Sequence, residues 1–284
     1  MDLSIIIVNY NTFELTKNTI NSVLNQNISN EYEIFLVDNN STDDSFKKLK
    51  STFSSELINF IPSSQNNGFA SANNMALKKA SGNYILLLNS DTILKGDVIN
   101  SSITYISSNI DVGAMGVKVL LENGQLDKAC KRSFPNPTNS FYRLFHIPKN
   151  DDANNYNLNN LDDNGVYEID CLTGAFIFFR REILKDIGLL DETFFMYGED
   201  IDFCYRIKKY GWKIVYYGKQ EIIHLKGGSS QKQKSKLIYH FYKSMYVFYN
   251  KHYKNNYSIF MNLAVYLGIS LLCVLKLFLN LFKR

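Results

Sequence analysis

The sequence predicts an α/β protein: a mostly parallel, Rossmann-like sheet with helices on both faces, followed by C-terminal helices of different character. Three observations predict it. Short runs rich in Ile, Leu and Val alternate with helix-forming stretches through the first 120 residues. Three of those runs end in Asn or Asp and a fourth is followed by an Asn-Asn-Gly loop, on the side where an open α/β sheet binds its ligand. Beyond about residue 204 the charge reverses and the chain becomes basic, aromatic and finally apolar. With 284 residues, 45% hydrophobic and 20% charged, the chain can build a sizeable core.

Each element has a local reason. Residues 3–8, LSIIIV, form a continuous β-branched run and predict a buried strand. Thr12 can cap a helix running to about Asn25. EIFLVD (33–38) is the second strand. Ser41 or Thr42 opens the next helix, with Asp43 and Asp44 in its first turn, where the helix dipole favours them. LINFIP (57–62) is a third strand, Phe69 to Lys79 a helix ending near Gly82, and YILLLN (84–89) a fourth strand. A helix from Asp97 to Ser107 and a strand over 112–120 close the first half. Residues 148–165, rich in Asn and Asp, read as a long loop. A strand over 174–181, a helix from about Asp200 to Tyr210, and two strands, WKIVYY (212–217) and EIIH (221–224), follow.

The four cysteines are far apart and form no CxxC, which argues against a disulfide scaffold and fits a reducing compartment. MDLSIIIVNYN has no basic n-region, so a cytoplasmic location is expected. Residues 1–204 carry 16 Lys+Arg against 26 Asp+Glu, whereas residues 205–284 carry 15 against one acid, Glu221. Residues 258–275 are uncharged, about the shortest length that crosses a bilayer. The Lys- and Tyr-rich stretch before them is what a membrane surface attracts. A membrane-attached segment is expected over a buried helix pair, and spanning and in-plane attachment both remain open. No nucleic-acid-binding motif accompanies the charge, so nucleic acid is not expected as a partner. The organisation expected is a body over 1–230, with a nucleotide-binding half (1–120) and an acceptor half (121–230), and membrane-associating helices over 231–284.

The polar strand ends are Asn9-Tyr10-Asn11, Asp38-Asn39-Asn40, the loop Asn66-Asn67-Gly68, and Asn89-Ser90-Asp91. Each alone could be turn chemistry or a helix cap; together they suit a nucleotide. GxGxxG and GxxxxGK[ST] are both absent. Asp91 is the natural ligand for a divalent cation that would neutralise a diphosphate, and His224 is the one His that follows a strand. His146, His240 and His252 read as surface residues. Glu199 and Asp200 open a helix after an aromatic FFMYG turn. On spacing alone, Asp200 fits equally a helix-terminus charge and a base for a substrate hydroxyl. Asp202 should pair with Arg206, one turn on.

The ordered set VNYN, LVDNNSTD, NNGFASANN, LLLNSD, TGAFIFFRR, FFMYGEDIDFCYR and GWKIVYYGKQEIIHLKGGSS resembles the family 2 glycosyltransferases of GT-A fold, over about residues 3–255. The likeness is strongest to the rhamnosyltransferase-like branch of bacterial polysaccharide biosynthesis. It implies an inverting hexosyltransferase working from a nucleotide-diphosphate sugar, with dTDP-rhamnose as the leading donor and UDP-hexoses as the alternative. The acceptor implied is a lipid-linked or growing glycan at the cytoplasmic face of the cell membrane. By resemblance, Asn9, Tyr10, Asp38, Asn67 and Gly68 hold the nucleotide. Asn89 and Asp91 are the outer positions of the family's DxD, contacting donor and divalent cation (Mg²⁺ or Mn²⁺), and His224 completes the metal site. Thr173 and Gly174 lie where donor and acceptor meet. Asp200 is the catalytic base, with Glu199 beside it. One departure is Asn89 in place of Asp, since a neutral amide binds a cation more weakly. A nucleotidyltransferase would carry a Gly-rich, basic loop after the first strand, which VNYNTFELTK lacks, and the acidic residues argue against a non-catalytic membrane scaffold.

Overall fold

The computed structural model describes residues 1–53, 56–137, 156–226 and 234–282. Among these, nine strands form one sheet. β1 (Leu3–Asn9), β2 (Tyr32–Asp38), β3 (Ile58–Pro62) and β4 (Tyr84–Asn89) are parallel, in the spatial order β3-β2-β1-β4. Every residue of β1 is buried, as a strand covered on both faces requires. Helices α1 (Phe13–Leu24), α2 (Ser45–Thr52) and α3 (Phe69–Leu77) make the crossovers.

The second half is mixed. β8 (Phe176–Arg180) inserts antiparallel between β4 and β6 (Val112–Leu121), and β6 pairs parallel with β9 (Lys213–His224). Two three-residue strands, β5 (Thr92–Leu94) and β7 (Val166–Glu168), add antiparallel to β9. The expectation of mostly parallel strands therefore holds for the nucleotide half. α4 (Val98–Ser108), the single turn α5 (Leu184–Ile187) and α6 (Glu199–Lys209) complete the body. α7 (Lys234–His252) and α8 (Ile259–Leu281) follow it.

Several local expectations change. Residues 212–217 and 221–224 belong to one strand, because a bulge between them keeps the ladder to β6 continuous. Gly218 sits in that bulge, where an added Cβ would lie 2.4 Å from Asp163 O. Thr12 does not cap α1; its hydroxyl donates to buried Asn9 Oδ1 at 3.1 Å instead. α2 starts at Ser45 because Ser41 and Thr42 are tied back to Asp38 and Asn11. Asp43 thus precedes the helix and accepts from Ser45 N. Of the expected 148–165 loop, residues 148–155 lie outside the described residues, as do His146 and the expected boundary at 230.

Candidate functional site

β1 and β2 end in register, so Asn9 lies opposite Asp38. Asn9 is fully buried. Its amide donates to Asp38 Oδ1 at 2.7 Å and to Ser41 Oγ and Ser45 Oγ at 3.0 Å. Its carbonyl accepts from Thr16 and Thr12. With both ends engaged, the Asn9 side chain positions Asp38. Asp38 is also buried and takes both the amide and the hydroxyl of Ser41. Tyr10 is half-buried and Asn67 exposed on the rim. Gly68 has φ +94°, and a Cβ there would lie 2.1 Å from Phe195 O. Phe69 N donates to that same oxygen at 2.9 Å. This contact closes the nucleotide loop onto the aromatic turn before α6.

The β4 end brings the other groups together. Asn89, Ser90 and Asp91 are half-buried, and Asn89 N donates to Ala175 O at 3.2 Å. The preceding Gly174 is flanked by Phe69 and by Asp200, both 4.0 Å from where its Cβ would be. Thr173, half-buried beside it, receives Ala175 N on its hydroxyl at 3.5 Å. Asp200 thus adjoins Thr173-Gly174, and the next residue, Ala175, is bonded to Asn89 of the β4 end.

Asp200 is ion-paired. Its Oδ2 lies 2.7 Å from Arg132, whose guanidinium also donates to Leu172 O. A two-bond bridge between Arg132 and Cys171 fixes that arginine's backbone. Glu199 is buried and Oε2 has no hydrogen-bond partner among the described residues. Burial, with the nearby Asp200 charge adding, pushes its carboxyl up to about 8. The backbone there is strained: Tyr197 has φ +70° and Gly198 φ +84°.

This raised ionisation predicts a stability effect. Folded Glu199 keeps its proton up to about pH 8, whereas the unfolded carboxyl loses it near its ordinary value of about 4.3. Wild-type stability should therefore fall as pH rises between those values, and the loss should be complete above about 8. Glu199→Gln should melt like wild type near pH 4 and several degrees higher at pH 8–9. Thermal midpoints measured across that range check this; a gap that does not change with pH would contradict it.

At the third corner, His224 faces Thr92 across the ladder. Its Nε2 lies 3.1 Å from Asp91 Oδ1 and its Nδ1 3.6 Å from Asp127 Oδ2, which Lys226 approaches at 2.9 Å. Burial opposes a charge on His224, but the two carboxylates prevail and hold its ionisation up to about 9. Burial likewise opposes the Asp127 charge, and His224 and Lys226 more than offset it.

Asp91 and His224, 3.1 Å apart, offer a carboxylate and an imidazole, donor types that a Mg²⁺ or Mn²⁺ ion could take in place of their mutual contact. Asp127 stands on the far imidazole nitrogen, where a metal-bound histidine places its orienting carboxylate. Among the described residues no group of three His, Cys, Asp or Glu is placed to hold an ion. The protein would thus give two ligands, Asp91 and His224, with Asn89 nearby on β4.

Arg132 and Asp127 were not legible in the sequence. Asp127 precedes a short turn and Arg132 lies in a Lys-Arg pair, so neither carries a local signal. Of the expected surface histidines, His252 is drawn against the body, donating to Asp202 Oδ1 at 2.7 Å, and half-buried His240 stacks on Phe195 at 4.3 Å. Asp202 does pair with Arg206, at 2.8 Å.

The model for glycosyl transferase family 2 matches residues 4–188. The low-salt glycan biosynthesis hexosyltransferase Agl10 of Haloferax volcanii is 29% identical over 213 residues, covering 73% of this chain and 62% of the relative. The N-acetylglucosaminyl-diphospho-decaprenol L-rhamnosyltransferase of Mycobacterium tuberculosis is 35% identical over 77 residues, covering 27% of this chain and 25% of the relative. The chain thus spans about three fifths of the first relative and a quarter of the second. The crystal structure of GalNAc-T7 with UDP, GalNAc and Mn²⁺ superposes with a TM-score of 0.61 at 17% identity, over 79% of this chain and 43% of that one. The fold is GT-A.

Proposed function

The chain belongs to glycosyl transferase family 2, and on that premise we propose that it is an inverting hexosyltransferase. It moves a sugar from a nucleotide diphosphate to a lipid-linked or growing glycan at the cytoplasmic face of a membrane. The observation that carries this reading is that Asp200 and Phe69 both adjoin Gly174, while the neighbouring Ala175 is bonded to Asn89 of the β4 triplet.

The base and ribose lie against Asp38, Tyr10, Asn67 and Gly68, and the diphosphate against Asn89 and Asp91. Asp91 and His224 would hold a Mg²⁺ or Mn²⁺ ion, which would supply positive charge to offset that developing on the departing diphosphate. Asp200 accepts the proton of an acceptor hydroxyl, whose oxygen bonds to the anomeric carbon as the bond to the diphosphate oxygen breaks on the opposite face. Holding both reactants in line supplies much of the acceleration. The 2.7 Å ion pair with Arg132 fixes the position of the Asp200 carboxylate. The name of the mycobacterial relative supports rhamnose as the sugar and a diphospho-lipid as the acceptor; dTDP-rhamnose is the donor we favour. The basic, acid-free C-terminal helices support attachment to an anionic membrane.

Thermal-shift screening of dTDP-rhamnose and the UDP-sugars, each with and without Mn²⁺, tests the donor. A ligand at about 100 times its Kd stabilises the folded state by about 2.7 kcal/mol, several degrees in a chain of this size. The expected result is the largest shift with dTDP-rhamnose, increased by Mn²⁺. A largest shift with a UDP-hexose would reassign the donor, and no shift with any sugar nucleotide would remove the reading.

A further inference from the structure

α8 is 23 residues long with mean hydropathy 2.0, enough to cross a membrane by length and composition. Its setting argues otherwise. α8 runs antiparallel along α7 and is tied to it near both ends. Tyr249 Oη bonds Asn262 Oδ1 at 2.6 Å, Tyr266 Oη bonds Asn250 Oδ1 at 3.1 Å, and Asn280 Nδ2 donates to Ser235 Oγ at 2.9 Å. α7 is itself fixed to the catalytic body along its length. His240 stacks on Phe195, the Ser244 Cβ lies 3.1 Å from where a Gly198 Cβ would be, and His252 meets Asp202 at 2.7 Å. The axis of α8 is therefore parallel to the body surface, with α7 between them.

The outer side of α8 is one apolar stripe. Phe260, Leu263, Leu267, Leu271, Val274 and Phe278 recur at helical spacing and are between 54% and 80% exposed. Lys276, two residues from Phe278, falls on the opposite side of the helix. On α7, Tyr239, Phe241 and Tyr246 are exposed aromatics of the kind that settle at headgroup level. After Glu221 the sequence contains no acid, while Lys236, Lys243, Lys254 and Lys276 are all present.

We infer that α8 lies in the plane of an anionic bilayer surface, stripe inward, as a one-leaflet anchor, and does not span. This rests on the membrane attachment proposed above and specifies its geometry. Standing α8 along the membrane normal would carry α7 and its lysines into the hydrocarbon, or would break three ties to α7; charged groups there are strongly disfavoured. In the plane, the stripe enters the acyl boundary while the lysines remain among anionic headgroups. The same seat faces the aromatic turn before Asp200 towards the lipid surface, because Tyr197 and Phe241 pack edge to face at 5.9 Å.

Depth measurement tests the geometry on the full chain. With the single native tryptophan replaced (Trp212→Phe), reporters are placed one at a time as Phe260→Trp, Leu271→Trp and Phe278→Trp. The protein is added to preformed vesicles, either of neutral phospholipid alone or mixed with anionic phospholipid, carrying brominated chains at defined depths. The expected result is binding that needs the anionic lipid, with all three reporters at one shallow depth. A deep Leu271→Trp between two shallower reporters would show a spanning helix and overturn the in-plane seat while leaving attachment intact. Failure to bind either vesicle would overturn attachment and seat together, as would the chain pairing with itself through the stripe. Leu267→Glu with Leu271→Glu should release the protein from anionic vesicles and leave the thermal shift with sugar nucleotide unchanged. That separates failure of the anchor from failure of the donor site.

Discussion

Asp200→Asn should lower turnover by about 10² or more, the usual contribution of a positioned general base, while sugar-nucleotide binding persists. Asn has the same shape but cannot take the acceptor's proton. The nucleotide contacts proposed above lie on the β1, β2 and β4 ends and do not use this side chain. A structural cost accompanies the change. Arg132 is buried, and Asp200 at 2.7 Å is its ion-pair partner. Removing that charge leaves a guanidinium facing an amide, which is destabilising. Transfer should therefore be assayed well below the variant's melting temperature, beside a thermal shift with the donor. Near wild-type turnover would show that another group accepts the proton. Lost turnover with lost donor binding would show that Asp200 shapes the nucleotide site.

The largest stability loss is expected at Asp202, one turn further along α6. Its carboxylate is fully buried among three cationic or potentially cationic partners: Arg206 at 2.8 Å, and Lys251 and His252 at 2.7 Å each. The last two belong to α7, so this residue joins the C-terminal helix pair to the catalytic body. Asp202→Ala leaves largely buried Arg206 and His252 without their carboxylate while Lys251 keeps Asp191, and breaking a buried pair in this way typically costs about 3–5 kcal/mol. Urea unfolding at neutral pH should show a loss of that size, and a loss below about 1 kcal/mol would mean that α7 docks through its aromatic residues alone. The wild-type pH dependence follows. Burial opposes the Asp202 charge, but the His252 hydrogen bond with Arg206 and Lys251 holds its ionisation down to about 2. Its contribution is complete above the ordinary carboxylate value of about 4 and is lost as pH falls from there to about 2. The variant should lack that part of the acid transition.

Much of the fold could be read locally. A strand covered on both faces must be apolar throughout, so LSIIIV and YILLLN identify themselves. The misread elements are those decided by distant partners. Thr12 and Ser41 have the chemistry of caps, yet buried Asn9 and Asp38 need their hydroxyls more. The short strands β5 and β7 have only three residues each, too few for a period, and exist because β9 offers an open edge. The site divides the same way. Asp38, Asp91, Asp200 and His224 stand at strand or helix ends, where sequence alone marks them. Arg132 reaches Asp200 across 68 residues, and His252 reaches Asp202 across 50.

The sequence by itself determined that four polar strand ends, an acidic helix start and an apolar tail would exist, because each follows from residue type and short-range spacing. Only the tertiary structure decided that Arg132 would charge-pair Asp200, that Asp127 would stand behind His224, and that the tail would lie along the body rather than stand away from it. Those outcomes depend on which surfaces the folded sheet leaves open for burial, and no window of neighbouring residues contains that information.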